Sequence, residues 1–317
     1  MKIVYITGCL GFIGSYVTTL CLERGWYVYG IDKCTYASNL KKLDYFNQFD
    51  NFKFENKDIH EIDRLVDCDY IINTAAETHV DNSIRKSDVF FQSNISGVYH
   101  LVELLRSYCK ESQVFPTLIH FSTDEVYGDI KSGEHIETDL LKPSNPYSAT
   151  KAAADQLILA WGRTYNIPYN IIRPTNNYGI GQYVEKLIPK SCKYLTLNRQ
   201  IPLHNHGLPI RNWLHAKDTA RAVLSVIDSG VENEIFNVAG GFEQSNIDTV
   251  KKIINSYFGK QVDDYEKYLN FEISRAGQDV RYGINDDKIR ALGWKPEAIF
   301  DEEISHIVNY YKKVFVW

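Results

Sequence analysis

Tyr147 and Lys151 stand four residues apart, directly after Pro146. Proline suits the first position of a helix, and side chains four apart on a helix share a face, so the two can act as a pair. A phenol titrates at about 10 in water, too high for a base at neutral pH, but a neighbouring ammonium favours the phenolate. Such a tyrosine could take the proton of a substrate hydroxyl. Upstream, Leu118-Ile119-His120-Phe121-Ser122 runs into Thr123-Asp124-Glu125-Val126-Tyr127-Gly128. Neighbours on a strand point to opposite faces, so Asp124 and Glu125 can serve one substrate only where the chain leaves strand geometry, as Gly128 suggests. Two carboxylates in different environments can divide the roles of acid and base. Taken alone, a Tyr-x-x-x-Lys match is more often a surface pair, and an Asp-Glu pair a solvated turn.

The elements that must position these groups are short apolar runs alternating with helical patterns. Runs at 2–7, 26–32, 52–55, 69–74, 116–122 and 169–173 read as strands. That alternation predicts an α/β fold of the Rossmann type, a doubly wound parallel sheet, with a smaller C-terminal substrate-binding domain after about residue 175. The expected division is residues 1–170 as the dinucleotide-binding part, also receiving about 205–232 and 284–305, and the remainder of 171–317 as the second part. Gly8, Gly11 and Gly14, with Phe12 and Ile13 between them, follow the first strand and open a helix. Glycines there let the backbone approach a pyrophosphate, whose charge meets the free N–H groups of the helix start. Asp32 ends the second strand, where a carboxylate can accept from ribose hydroxyls and repel a 2′-phosphate, which favours NAD over NADP. Asp58 and Thr74-Ala75-Ala76 end later strands on the same edge. The spacing GxxGxxG resembles the extended short-chain dehydrogenase/reductase family, although Cys9 stands where a glycine often follows, a change expected to narrow the turn's freedom.

The 317 residues carry 35 Lys and Arg against 40 Asp and Glu, a net charge of −5, with 44% hydrophobic residues. That content can bury a substantial core. It gives no electrostatic reason for nucleic acid or an anionic membrane as partner. No apolar run is long enough to span a bilayer, and the chain opens directly into a strand, so a cytoplasmic protein is expected. The six cysteines form no CxxC pair and read as reduced packing residues. His204 and His206 lack a third nearby ligand, so no metal is expected.

Around these residues the resemblance sharpens. STDEVYG, then PSNPYSATKAAAD, WGRTYNIP, NNYG, EKLIPK and RNWLH, with DKCTYASNL and AAETHVD upstream, resemble the dTDP-glucose 4,6-dehydratases and their UDP-glucose counterparts along nearly the whole chain. The resemblance implies a redox-neutral cycle on a nucleoside diphosphate-glucose with tightly bound NAD. Tyr147, supported by Lys151 and with Thr123 holding the hydroxyl, removes the C4 hydroxyl proton. Glu125 acts as base at C5, and Asp124 as acid to the departing C6 hydroxyl. The resemblance further implies cofactor contacts from Lys33, Thr35, Ser38, Ile59, Ala75 and Ala76. It implies substrate contacts from Thr78, His79, Asn176, Lys186, Leu187, Arg211, Asn246 and Arg275, and a homodimer. Ala276 and Gln278 replace the family's usual Pro and His, and His204-Asn205-His206-Gly207 replaces its usual Gly-Asp-Gly segment. Nothing in these motifs separates dTDP from UDP. Two other readings stay open: a nucleotide-sugar 4-epimerase or decarboxylase, which needs no acid and base at C5 and C6, and a catalytically silent NAD-binding regulator.

Overall fold

In a computed structural model describing residues 1–112, 115–271 and 279–314, the strands in chain order are β1 (Ile3–Thr7), β2 (Tyr27–Asp32), β3 (Phe52–Asn56), β4 (Tyr70–Asn73), β5 (Thr117–Phe121), β6 (Tyr169–Pro174), β7 (Asn176–Tyr178), β8 (Ile201–Pro202), β9 (Ile210–His215), β10 (Glu234–Val238), β11 (Glu243–Ser245) and β12 (Leu269–Asn270). Seven of them form one parallel sheet in the order β10-β6-β5-β4-β1-β2-β3. Its order reverses between β1 and β4, the place where open α/β sheets take up ligands outside the carboxyl ends of their strands. The seventh strand, β10, comes from the looser late part of the chain and lies outside the runs expected from sequence.

Both faces of the sheet are covered, which is why its strands read as continuous apolar runs. Ile6 pairs with Ile72 and Ile72 with Ile119 across one face, in a core with the helix Phe12–Glu23 and the helix Ala216–Ser229. On the other face Tyr5, Ile71 and Leu118 pack against the helices Gly97–Ser112 and Pro146–Tyr165. A separate apolar cluster joins Tyr178, Ile188, Trp213, Ile253, Phe300 and Ile307. It lies behind the small sheet β11-β9-β7 and the pair β12-β8. Cys9 is buried in the first core with no exposure, and a side chain at Gly30 of β2 would meet its Sγ at 2.8 Å. The thiol therefore packs inward beneath β2, which explains why Cys9 is compatible with the turn. Among the described residues no helix is long and apolar enough to cross a membrane.

The Pro146 helix starts cleanly. Asn145 is its N-cap, accepting from Ser148 N at 3.0 Å, and the Ser148 hydroxyl receives the Asn145 N–H in return. The helix is tied to the sheet through a buried ion pair. Arg173 of β6, 1% exposed, donates from Nε to Asp155 Oδ2 at 3.0 Å and from Nη1 to the Tyr127 hydroxyl at 2.6 Å. Ser122 also donates to Asp155, and Tyr127 to Asn237 of β10. Arg173→Leu is expected to cost about 3–5 kcal/mol, because it strands a buried carboxylate. The double variant Arg173→Leu/Asp155→Leu should cost less than that single change, read from urea midpoints.

Candidate active site

Gly8, Gly11, Asp32, Lys33, Thr35, Ser38, Asp58, Ile59, Ala75 and Ala76 line one cavity at the carboxyl ends of β1 to β4. Gly8 has φ +72, and a Cβ there would stand 2.7 Å from Ala75 N; a Cβ at Gly14 would stand 2.1 Å from Gly8 O. Only glycine fits either place. The helix Phe12–Glu23 begins at Gly11 without a side-chain cap, leaving its first N–H groups for an anion. Asp32 is held in position: Oδ2 accepts from Leu10 N at 3.0 Å, and Oδ1 from Cys34 N and Ser38 Oγ, each at 2.8 Å. A fixed carboxylate beside a glycine cradle and an uncapped helix start fits the adenosine and pyrophosphate of a dinucleotide. Lys33 is paired with Asp58 at 3.3 Å, on the rim.

The neighbouring cavity is lined by Phe12, Ile13 and Gly14 from the turn and by Thr78, Thr123, Asp124, Glu125, Tyr147, Asn176 and Lys186. Strand β5 ends at Phe121, and Asp124–Tyr127 is a 3-10 turn capped by Thr123, whose Oγ1 accepts from Glu125 N at 3.3 Å. The chain thus leaves strand geometry where the sequence requires it to. Gly128 closes the turn at φ +80, where a Cβ would meet Lys142 O at 2.4 Å. Lys151 does not line the cavity. It is 3% exposed, with Nζ 3.5 Å from His120 Nε2. Burial brings its ammonium down to about 8, while Asp155 works the other way. Burial and the Glu125 carboxylate push the Tyr147 phenol up, the Thr123 hydroxyl lowers it, and Asp124 and Asp155 add to the rise. A phenolate at this site therefore depends on positive charge held beside it.

The two carboxylates are not equivalent. Burial, and after it the Glu125 charge, hold Asp124 up at about 8. Its Oδ1 accepts from Thr123 Oγ1 at 3.1 Å, and Oδ2 has no partner among the described residues. Near neutrality Asp124 is therefore a buried acid with a proton to give. Glu125 is also raised by burial, but Arg211, Asn145 and Lys186 pull it back. Its Oε2 accepts from Asn145 Nδ2 and faces the Tyr282 hydroxyl, each at 3.3 Å.

Beyond Glu125 the cavity continues toward the second apolar cluster. His79, Asn176, Lys186, Leu187, Arg211 and Asn246 line that extension, with His204 and Lys190. Lys186 donates to Thr78 O at 3.0 Å. Arg211 stacks 4.7 Å from the Tyr282 ring and donates to Asp279 O at 3.3 Å. Arg275 lies outside the described residues, as do Ala276 and Gln278. His204 and His206 diverge: His204 Nε2 stands 4.0 Å from Asp81, whereas the His206 ring lies 5.6 Å from Phe271. Sequence reasoning missed Asn145, His120, Asp155 and Tyr282. Only Asn145 carried a local signal, an N-cap residue before a helix-opening proline.

The sheet order, the glycine cradle and the Tyr147–Lys151 pair define a dinucleotide-dependent enzyme of the extended short-chain dehydrogenase/reductase class. The profile of the family described as GDP-mannose 4,6 dehydratase matches residues 5–307. The chain is 34% identical to a dTDP-glucose 4,6-dehydratase of Escherichia coli, over 100% of this chain and 95% of that protein. It is 37% identical to the low-salt glycan biosynthesis protein Agl12 of Haloferax volcanii, over 97% and 98%. DesIV, a dTDP-glucose 4,6-dehydratase from Streptomyces venezuelae solved with NAD bound, superposes with a TM-score of 0.90 at 33% identity, covering 98% of this chain and 97% of that one. The chain belongs to the nucleotide-sugar 4,6-dehydratase family. A UDP-glucuronic acid 4-epimerase from Bacillus cereus shares the fold, with a TM-score of 0.89 at 24% identity and coverage of 98% and 99%.

Asp124 binds its proton more tightly in the folded chain than in the unfolded one, so stability should fall as pH rises from about 4 toward about 8. Asp124→Asn is expected to flatten that fall and to melt higher than wild type at pH 8, measured by thermal denaturation from pH 5 to 8. The same change should lower kcat by roughly 10²- to 10⁴-fold if Asp124 serves as a general acid.

Proposed function

We propose that this chain converts a nucleoside diphosphate-glucose, dTDP-glucose or UDP-glucose, to its 4-keto-6-deoxyglucose nucleotide, using NAD that is regenerated in each cycle. The observation that carries this reading is the turn after β5, which sets a proton-bearing Asp124 and a partly neutralised Glu125 beside Tyr147. An epimerase or decarboxylase needs the tyrosine and lysine but not this pair. Residues 1–170, with the late segments that join them, would hold NAD, and the rest of the chain the sugar nucleotide. The chain would act in the cytoplasm as a homodimer, joined through the helices Gly97–Ser112 and Pro146–Tyr165, near which Phe91 and Tyr99 are exposed.

NAD, when bound, supplies the acceptor for the C4 hydrogen and the donor that replaces the C6 hydroxyl. Tyr147, biased toward phenolate by the Lys151 ammonium, takes the C4 hydroxyl proton. The ketone acidifies C5–H, and Glu125 removes that proton. Asp124 gives its proton to the C6 hydroxyl, which leaves as water, and Glu125 then returns its proton to C5. Counting protons, Tyr147 ends with one too many and Asp124 with one too few. Thr123 touches both, donating to Asp124 and standing beside the Tyr147 phenol, so its hydroxyl supplies the short path that resets the pair. Arg211 supplies charge for the diphosphate, in keeping with guanidinium–phosphate geometry.

C4-deuterated substrate provides the test. Product carrying deuterium at C6, formed without added reductant, is the expected result. Product without it sinks the internal transfer, and a C4 epimer would favour the epimerase. Thr123→Val should slow turnover by roughly 10²-fold, the lower end of what a positioned proton transfer contributes, while Thr123→Ser retains most of it.

A further inference from the structure

The side chains of Thr7, Asn73 and His120 form one polar row across β1, β4 and β5. The register places Thr7 beside Asn73 and Asn73 beside His120, so all three project from one face at the same pleat. Thr7 Oγ1 donates to Asn73 Oδ1 at 2.6 Å, Asn73 Nδ2 lies 3.0 Å from His120 Nδ1, and His120 Nε2 lies 3.5 Å from Lys151 Nζ. None of the four is more than 3% exposed. One pleat earlier on this face the same strands carry Tyr5, Ile71 and Leu118, all buried. Apolar residues thus satisfy the sheet there, and a polar row is costly unless each member is bonded.

The direction of the hydrogen bonds matters. An ammonium only donates, whereas an uncharged amine can accept. With Thr7 donating to Asn73 and Asn73 to His120 Nδ1, a neutral imidazole carries its proton on Nε2 and offers it to Lys151, which suits the uncharged amine. A half-turn of the Asn73 amide, with the other imidazole tautomer, reverses the row. Nε2 then accepts from the ammonium, Nδ1–H donates to Asn73, and Asn73 donates to Thr7. Burial, helped by Lys151, keeps the imidazole itself neutral. The charged groups around the pair are Asp155 on the same helix, held by Arg173 of β6, and Asp124 and Glu125 beyond β5; β1 and β4 contribute only the neutral Thr7 and Asn73.

We propose that His120 is a positioning residue for the Tyr147–Lys151 pair: its Nε2 fixes the Lys151 ammonium, and the Thr7–Asn73–His120 row reverses direction as Lys151 gains or loses its proton. The row gives a buried lysine a matched partner in either state, so the charge that favours the Tyr147 phenolate is held without an unsatisfied group beside it. The kinetic part of the test rests on the dehydratase reading; the spectroscopic part does not.

Nitrogen-15 NMR of the NAD-loaded protein labelled at histidine should show His120 neutral throughout, with Nδ1 protonated below about pH 8 and Nε2 protonated above it, where Lys151 loses its charge. His120→Leu should lower kcat by roughly tenfold, the equivalent of one pKa unit, with KM within about twofold. It should also narrow the pH window from both sides: Lys151 loses its proton at lower pH, and Tyr147 needs higher pH to ionise. His120→Gln, which can still accept from the ammonium, should recover most of the window; if His120→Leu does not fold, His120→Gln and Asn73→Leu report on the same limbs. One tautomer across the titration, or variants with wild-type limbs, would overturn the proposal. A wild type that yields no 4-keto product defeats the proposed function instead, and the tautomer titration still reads the row.

Discussion

A buried ammonium is the constraint on which the site depends. Lys151 is 3% exposed, and burial alone would drive it toward the neutral amine, which could not favour a phenolate at Tyr147. Asp155, one helical turn further along, opposes that drift, and it can do so in the interior only because Arg173 and Ser122 bond to it. Arg173 in turn reaches Tyr127, and Tyr127 reaches Asn237 on the outermost strand. The charge on one lysine is thus supported by residues of β6 and β10 and of the segment after β5, and the helix carrying Tyr147 cannot shift without disturbing them.

The same burial that penalises Lys151 makes the carboxylates useful. Withdrawn from water, Asp124 keeps a proton that an exposed aspartate would have lost, the proton that the proposed reaction would give to a departing hydroxyl. Glu125 differs because donors and cations reach it from Asn145, Arg211 and Lys186. Adjacent carboxyls thereby acquire different proton affinities, through surroundings supplied by separate parts of the chain.

Local pattern is what sequence records well. The strands up to Pro174 are legible because most are nearly continuous apolar runs between turn signals, β3 alternating as Phe-Lys-Phe instead, and Tyr147 and Lys151 are legible because helix spacing is local. Strand β10 is not: it is Glu-Ile-Phe-Asn-Val, and its buried Asn237 is explained by partners about 100 residues earlier, the Tyr127 hydroxyl and the His135 carbonyl. His120 reads as one polar interruption in an apolar strand until strand register sets it beside Asn73. Cys9 looks like a defect in the glycine turn, whereas it fills space that Gly30 leaves on the neighbouring strand. In each case the missing term is a partner far away in sequence.

The turn at 124–127 shows how chemistry can be added to this frame while the residues that anchor it stay in place. Its four residues divide the work. Asp124 and Glu125 face the cavity, the first accepting from Thr123 and the second from Asn145 and Tyr282, whereas Val126 is wholly buried and Tyr127 is fixed by Arg173 and Asn237. Thr123 caps the turn from one side and Gly128 closes it from the other with backbone geometry alone. A change at 124 or 125 therefore alters what the site can protonate while leaving the anchors at 126 and 127 intact. In the proposed reaction, oxidation at C4 would belong to the frame, and loss of water to two side chains on a turn that the frame holds still.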